Sequence, residues 1–116
     1  VAEMERQPRV IEMPRFLTEE LRRVATESGQ SVGELMRKEL DLFMGRPESV
    51  NRWPKDPNFS TRERVRLGFK MRIGDWERLR QAAWSQGRYP SSVARSAALR
   101  LVRRWDSARR KEAVNE

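Results

Sequence analysis

One short pattern occurs twice in this chain, and neither copy is large enough to bury a core alone. In the first copy, RVIEM at 9–13 alternates with the period of a strand, Ile11 and Met13 to one side and Val10 and Glu12 to the other. Pro14 argues against a long or central strand. TEELRRVATES at 18–28 then reads as a helix, with Thr18 the expected N-cap and Glu19 and Glu20 in the first turn, where the helix dipole favours acids. Leu21, Val24 and Ala25 share a face, and Gly29 is the expected stop. Ser31 is placed to cap a second helix over 32–44, whose apolar positions are Val32, Leu35, Met36, Leu40 and Phe43. Gly45 and Pro47 end it.

The second copy repeats this order. VRLGFKMRI at 65–73 is the strand, with Leu67, Phe69, Met71 and Ile73 on one side and Arg66, Gly68, Lys70 and Arg72 on the other. Asp75 is the expected cap of a helix over 76–86 that turns Leu79, Ala82 and Ala83 inward, and Gly87 stops it. RYPSS then offers Ser91 and Ser92 as caps for a helix from about 93 to 105, with fraying expected from Asp106 onward. A constant offset of 58 aligns the copies through the first helix: Ile11 with Phe69, Met13 with Met71, Leu21 with Leu79, Gly29 with Gly87. Beyond Gly87 the letters suggest an insertion, since Ser31 meets Ser92 only at an offset of 61 and Phe43 meets Trp105 at 62, which leaves the register of the last helix open. Residues 45–64 form a connector with three prolines and no obvious element, which Trp53 and Phe59 are placed to pin.

A lone strand leaves half its backbone hydrogen bonds unmade. Two copies solve this together if their strands pair as a two-stranded antiparallel ribbon with four helices beneath. The expected fold is therefore mainly α with one ribbon, an internal duplication with repeats at 9–44 and 65–105 joined by the linker 45–64 into one compact domain. Ile11, Met13, Leu67, Phe69 and Met71 would meet the helices, and the outer residues would stand free. Charge singles out the outer row. The net formal charge is +8, but residues 1–50 carry eight Lys/Arg against ten Asp/Glu, and residues 51–116 carry seventeen against seven. Such a balance favours a polyanionic partner recruited mainly by the second copy.

Strand, helix, glycine turn, Ser-capped helix, as in RVIEMPRFLTEELRRVATESGQSVGELMRKELDLFM and again in VRLGFKMRIGDWERLRQAAWSQGRYPSSVARSAALRLVRRW, resembles the ribbon-helix-helix family of DNA-binding proteins. The resemblance implies that the ribbon enters the major groove and its outward side chains read base edges. The outward ribbon residues are then Arg66, Lys70 and Arg72 in the second copy and Val10 and Glu12 in the first; Glu12 departs from the pattern, because phosphate repels a carboxylate. The resemblance also implies phosphate contacts at the start of each second helix, from Ser31, from Ser91 or Ser92, and from the nearby Arg88 and Arg95. The fused arrangement with a basic second copy is similar to the tandem ribbon-helix-helix accessory proteins that assist T-DNA border processing on tumour-inducing plasmids. That similarity implies double-stranded DNA as partner, with a relaxase or other transfer-complex proteins beside it.

The sequence argues against other classes. It holds no cysteine and no histidine, which removes disulfides, zinc–thiolate sites and the commonest general base near neutral pH. No phosphate-binding glycine loop and no paired carboxylates stand out, so neither catalysis nor a cofactor is expected. No apolar run approaches the length of a membrane span, and the expected location is cytoplasmic. Two alternatives stay open: a repressor or antitoxin of the same fold, and a basic scaffold for an acidic protein. The basic stretch Arg100, Arg103, Arg104, Arg109, Arg110 and Lys111 is a further candidate for nucleic-acid contact.

Overall fold

A computed structural model describes residues 5–115. The order of elements is β1 (Arg6–Pro14), α1 (Arg15–Ser28), α2 (Val32–Gly45), two 3-10 turns at Pro47–Arg52 and Thr61–Glu63, β2 (Arg64–Arg72), α3 (Ile73–Ser85) and α4 (Pro90–Asn115). The strands pair antiparallel in a two-stranded sheet, from Arg6 opposite Arg72 to Pro14 opposite Arg64. This is a single-chain, internally duplicated fold of the ribbon-helix-helix kind.

The duplication is tighter than the sequence suggests. The offset of 58 persists past Gly87: α2 starts at Val32 and α4 at Pro90. The six buried positions of α2 (Leu35, Met36, Glu39, Leu40, Phe43, Met44) fall on Val93, Ala94, Ala97, Ala98, Leu101 and Val102 of α4, and all six of those are buried too. Leu35 N donates to the Ser31 carbonyl at 3.1 Å, and Val93 N to the Tyr89 carbonyl at the same distance. No insertion therefore exists, and the counterpart of Ser31 is Tyr89. Ser91 and Ser92 lie inside the first turn of α4 behind Pro90, which fits the first helical position because its missing N–H has no partner to lose. Gly29 and Gly87, also 58 apart, both take positive φ, 71° and 67°, as a left-handed helix stop requires.

Three further expectations change. Both first helices start directly from the strand, at Arg15 and Ile73, without a side-chain cap. Thr18 is instead buried inside α1, and Asp75 sits in the first turn of α3, 3.5 Å from Arg78. The prolines at 8 and 14 do not shorten β1, because a two-stranded ribbon has only edge strands, where a missing N–H costs no ladder bond. And α4 does not fray at Asp106. It continues to Asn115 through residues rich in Ala, Arg, Lys and Glu, and is held to α1 by Arg23 on Asp106 at 2.9 Å and by Trp105 Nε1 on Glu27 at 2.8 Å.

The inner ribbon residues Ile11, Met13, Leu67, Phe69 and Met71 are buried with Leu17, Leu21, Val24, Leu79 and Ala83 and the apolar positions of α2 and α4 in one core. The connector belongs to this core as well. Val50 is buried, Trp53 meets Phe43 edge-on at 5.9 Å, and Phe59 lies under the Arg95 guanidinium at 5.4 Å. No helix among the described residues is long and apolar enough to cross a membrane.

Candidate nucleic-acid interface

Alternation along β1 and β2 places ten residues at outer positions of the ribbon, Arg6, Pro8, Val10, Glu12 and Pro14 opposite Arg72, Lys70, Gly68, Arg66 and Arg64, of which Pro14, at the strand end, is buried. Paired residues sum to 78 and the copies differ by 58, so Val10 faces its own counterpart, Gly68, and the pseudo-two-fold axis passes between them. On one side of that centre lie Lys70 and Arg72 with Arg6; on the other lie Glu12, Arg66 and Arg64. Five cations and one carboxylate thus line a strip about 27 Å long at the usual rise per strand residue. Val10 is 57% exposed, and Arg6, Arg64, Arg66, Lys70 and Arg72 are all exposed.

Cross-strand pairing quenches part of this field. Arg64 Nη1 donates to Glu12 Oε1 at 3.4 Å, in a pair in which each side chain is 44% exposed. Arg6 and Arg72 face each other as like charges, an arrangement that destabilises a ribbon unless an anion or solvent screens it. Sequence reasoning missed Arg6 and Arg64. The signal was present, since both continue the outward spacing of two, but the first strand was read as beginning at Arg9, and Arg64 precedes the alternating run.

The candidates at the second helices are less uniform. Ser31 Oγ accepts from Glu34 N at 3.1 Å and donates to the Glu34 carboxylate at 3.2 Å, an N-cap that already uses one of the free amides of α2. Ser91 and Ser92 are half-buried. Arg88 reaches Asn51 at 3.4 Å. The Arg95 side chain, 14% exposed, is engaged on every side: Nε and Nη2 on Asp56 at 2.5 and 2.8 Å, Nη1 on the Glu12 carbonyl at 3.0 Å. It secures the linker to β1.

The basic stretch of α4 divides in the same way. Arg100 and Arg104 both bond the buried Glu39, Arg100 at 2.8 Å, and Arg109 lies over Trp105 at 5.9 Å. Arg103, Arg110 and Lys111 are exposed, and at 1.5 Å per residue Lys111 lies roughly 24 Å along the helix axis from Arg95, which bonds β1. Among the described residues, no group of three or more acidic, His or Cys side chains could hold a metal ion.

Comparison of the chain with protein-family models, with curated proteins and with solved structures found no match in any of the three.

Proposed function

We propose that this chain binds double-stranded DNA by laying the outer face of its ribbon in the major groove, and that it does so without chemistry of its own. The observation that carries this reading is the solvent-open strip of Arg6, Arg64, Arg66, Lys70 and Arg72 on a ribbon whose other face buries Ile11, Met13, Leu67, Phe69 and Met71 in the core. A two-stranded ribbon fits the width of the major groove, and five cations displace condensed counter-ions from the duplex. The long side chains reach base edges or phosphate, while Val10 and Gly68 at the centre present little bulk and allow close approach.

The narrower role is that of an accessory factor in T-DNA border processing, acting in a relaxosome with a separate relaxase. It rests on the resemblance of the fused, charge-asymmetric repeat to such proteins. A fused pair suits that role better than an operator-binding repressor, because its two ribbon halves differ: Pro8, Val10 and Glu12 against Arg66, Gly68 and Lys70 cannot read two equal half-sites equally.

Fluorescence anisotropy with a border-enhancer duplex, a scrambled duplex and the matched single strand tests both levels. Duplex binding that weakens with salt and collapses in Arg66→Ala/Lys70→Ala/Arg72→Ala supports the ribbon; preference for the enhancer supports the accessory role. Equal affinity for all duplexes removes the accessory role, and unchanged binding in a folded triple variant removes the ribbon.

A further inference from the structure

The pseudo-two-fold relates Arg95 of α4 to Arg37 of α2, 58 residues earlier, and the two guanidiniums begin the same way. Arg95 Nη1 donates to the carbonyl of Glu12, and Arg37 Nη1 donates to the carbonyl of Lys70 at 2.9 Å, itself the counterpart of Glu12. Each arginine thereby satisfies a carbonyl on an open edge of the ribbon. The rest of the two environments differs. Arg95 has its remaining fork filled by the Asp56 carboxylate. Arg37 makes no ion pair among the described residues and faces a cleft of about 290 Å³ lined also by Arg6 and Arg72. Burial, and then Arg6, press its guanidinium below the ordinary arginine value, while Glu34 acts more weakly the other way. Three acids also line the cleft without bonding Arg37: Glu34, which accepts from Ser31, Asp75, 3.5 Å from Arg78, and Asp41. Gly33 makes room for the arginine: a Cβ there would stand 2.9 Å from Arg37 Nη1.

We infer that Arg37, with Arg6 and Arg72, is a phosphate-binding site, and that Asp56 of the linker fills the equivalent site of the second repeat as a built-in anion. This deepens the DNA-binding reading and rests on it for the source of the phosphate: a backbone phosphate beside the groove, gripped at one end of the ribbon only. The forked guanidinium suits a tetrahedral oxyanion, and the repulsion between Arg6 and Arg72 is relieved when one binds.

The test uses the intact chain, with arginine Nε–H signals followed by NMR as inorganic phosphate is added at constant ionic strength. A saturable shift at Arg37 and a silent Arg95 are expected, with Arg95 responding as well in Asp56→Asn. A non-saturating Arg37, or an Arg95 that stays silent in Asp56→Asn, overturns the inference. Arg37→Gln should abolish the saturable response; Arg37→Lys, which keeps the charge but not the fork, should weaken it severalfold in a chain whose thermal melt shows it folded. For the source, Arg37→Gln should lower the slope of log K against log salt for duplex binding by about 1, and Asp56→Asn should raise it by about 1. Unchanged slopes with a saturable Arg37 would overturn the backbone assignment and mark a site for free phosphate. Saturation at Arg37 without any duplex binding would sustain the site and sink the DNA reading.

Discussion

Glu12 is the residue at which the sequence and the outer ribbon disagree most, and the structure gives it a role. It is the only carboxylate in the row, it stands opposite Arg66, and it holds Arg64 at 3.4 Å. Both side chains are 44% exposed, so the pair contributes little to stability. Its cost to binding is larger, because it brings a negative charge toward phosphate and occupies a cation that would otherwise be free. Glu12→Gln is therefore expected to leave the melting temperature nearly unchanged and to tighten duplex binding by roughly threefold at low salt, about the worth of one phosphate contact. Anisotropy at several salt concentrations checks this, and a weaker or unchanged affinity would mean that Glu12 accepts a hydrogen bond from a base. Glu39 poses the opposite case. It is buried where its counterpart is Ala97, and both Arg100 and Arg104 reach it from α4. Removing both arginines strands a buried carboxylate and is expected to cost about 3–5 kcal/mol, whereas Glu39→Met, which leaves two partly solvated cations, should be close to neutral. Urea denaturation of the two variants separates these outcomes.

The elements themselves were legible wherever period and punctuation agreed. The inner faces of both strands up to Met71, the glycine stops and the apolar stripe of α2 follow directly from spacing and hold in the structure, whereas Ile73, expected to end the second strand, opens α3 half-buried. The starts of α1 and α3 were not legible, because Thr18 and Asp75 look like caps while the chain in fact turns from strand to helix within one residue. The register of α4 stayed open for a related reason: Ser91 and Ser92 have the right chemistry for a cap, but Pro90 already opens the helix and the buried alanines carry too weak a hydrophobic signal to fix a face. The length of α4 depends on contacts that no local pattern contains. Trp105 and Asp106 are held by Glu27 and Arg23, about eighty residues away. The indole N–H of Trp105 and the guanidinium of Arg23 keep the Glu27 carboxyl below its ordinary value. A carboxyl depressed on folding stabilises the native state above its unfolded value, near 4.3, and that contribution fades as pH falls through the lower folded value. Glu27→Gln should therefore destabilise the chain at pH 7 and converge with the parent near pH 3; Trp105 fluorescence against urea at the two pH values measures it, and a gap that persists in acid would assign the loss to packing.

At the scale of the whole molecule, the fusion determines what can be asymmetric. In a pair of identical chains every outer residue occurs twice about the two-fold axis. Here the axis passes between Val10 and Gly68, and each counterpart is free to differ: Glu12 for Lys70, Pro8 for Arg66, Pro14 for Arg72. None of the candidate DNA-facing positions is legible in this relation from one copy alone; it emerges only when the register is known. The linker makes the asymmetry permanent. It is packed through Val50 and Trp53 and tied by Asp56 to Arg95, so it is an ordered part of the core as well as a tether. Two consequences are open to measurement together. Because one chain supplies both strands, the unfolding midpoint should not change across a hundredfold range of protein concentration, whereas an obligate dimer would gain stability with concentration. Because the outer face has a direction, a bound chain should sit on a duplex in one orientation. Hydroxyl-radical footprints of a short duplex should then protect the two strands unequally about the centre, with the more extensive protection beside the end that carries Arg6, Lys70 and Arg72. A footprint symmetric about its centre, from a chain whose midpoint is independent of concentration, would mean that the asymmetric outer face does not set the pose and that backbone contacts away from the ribbon do.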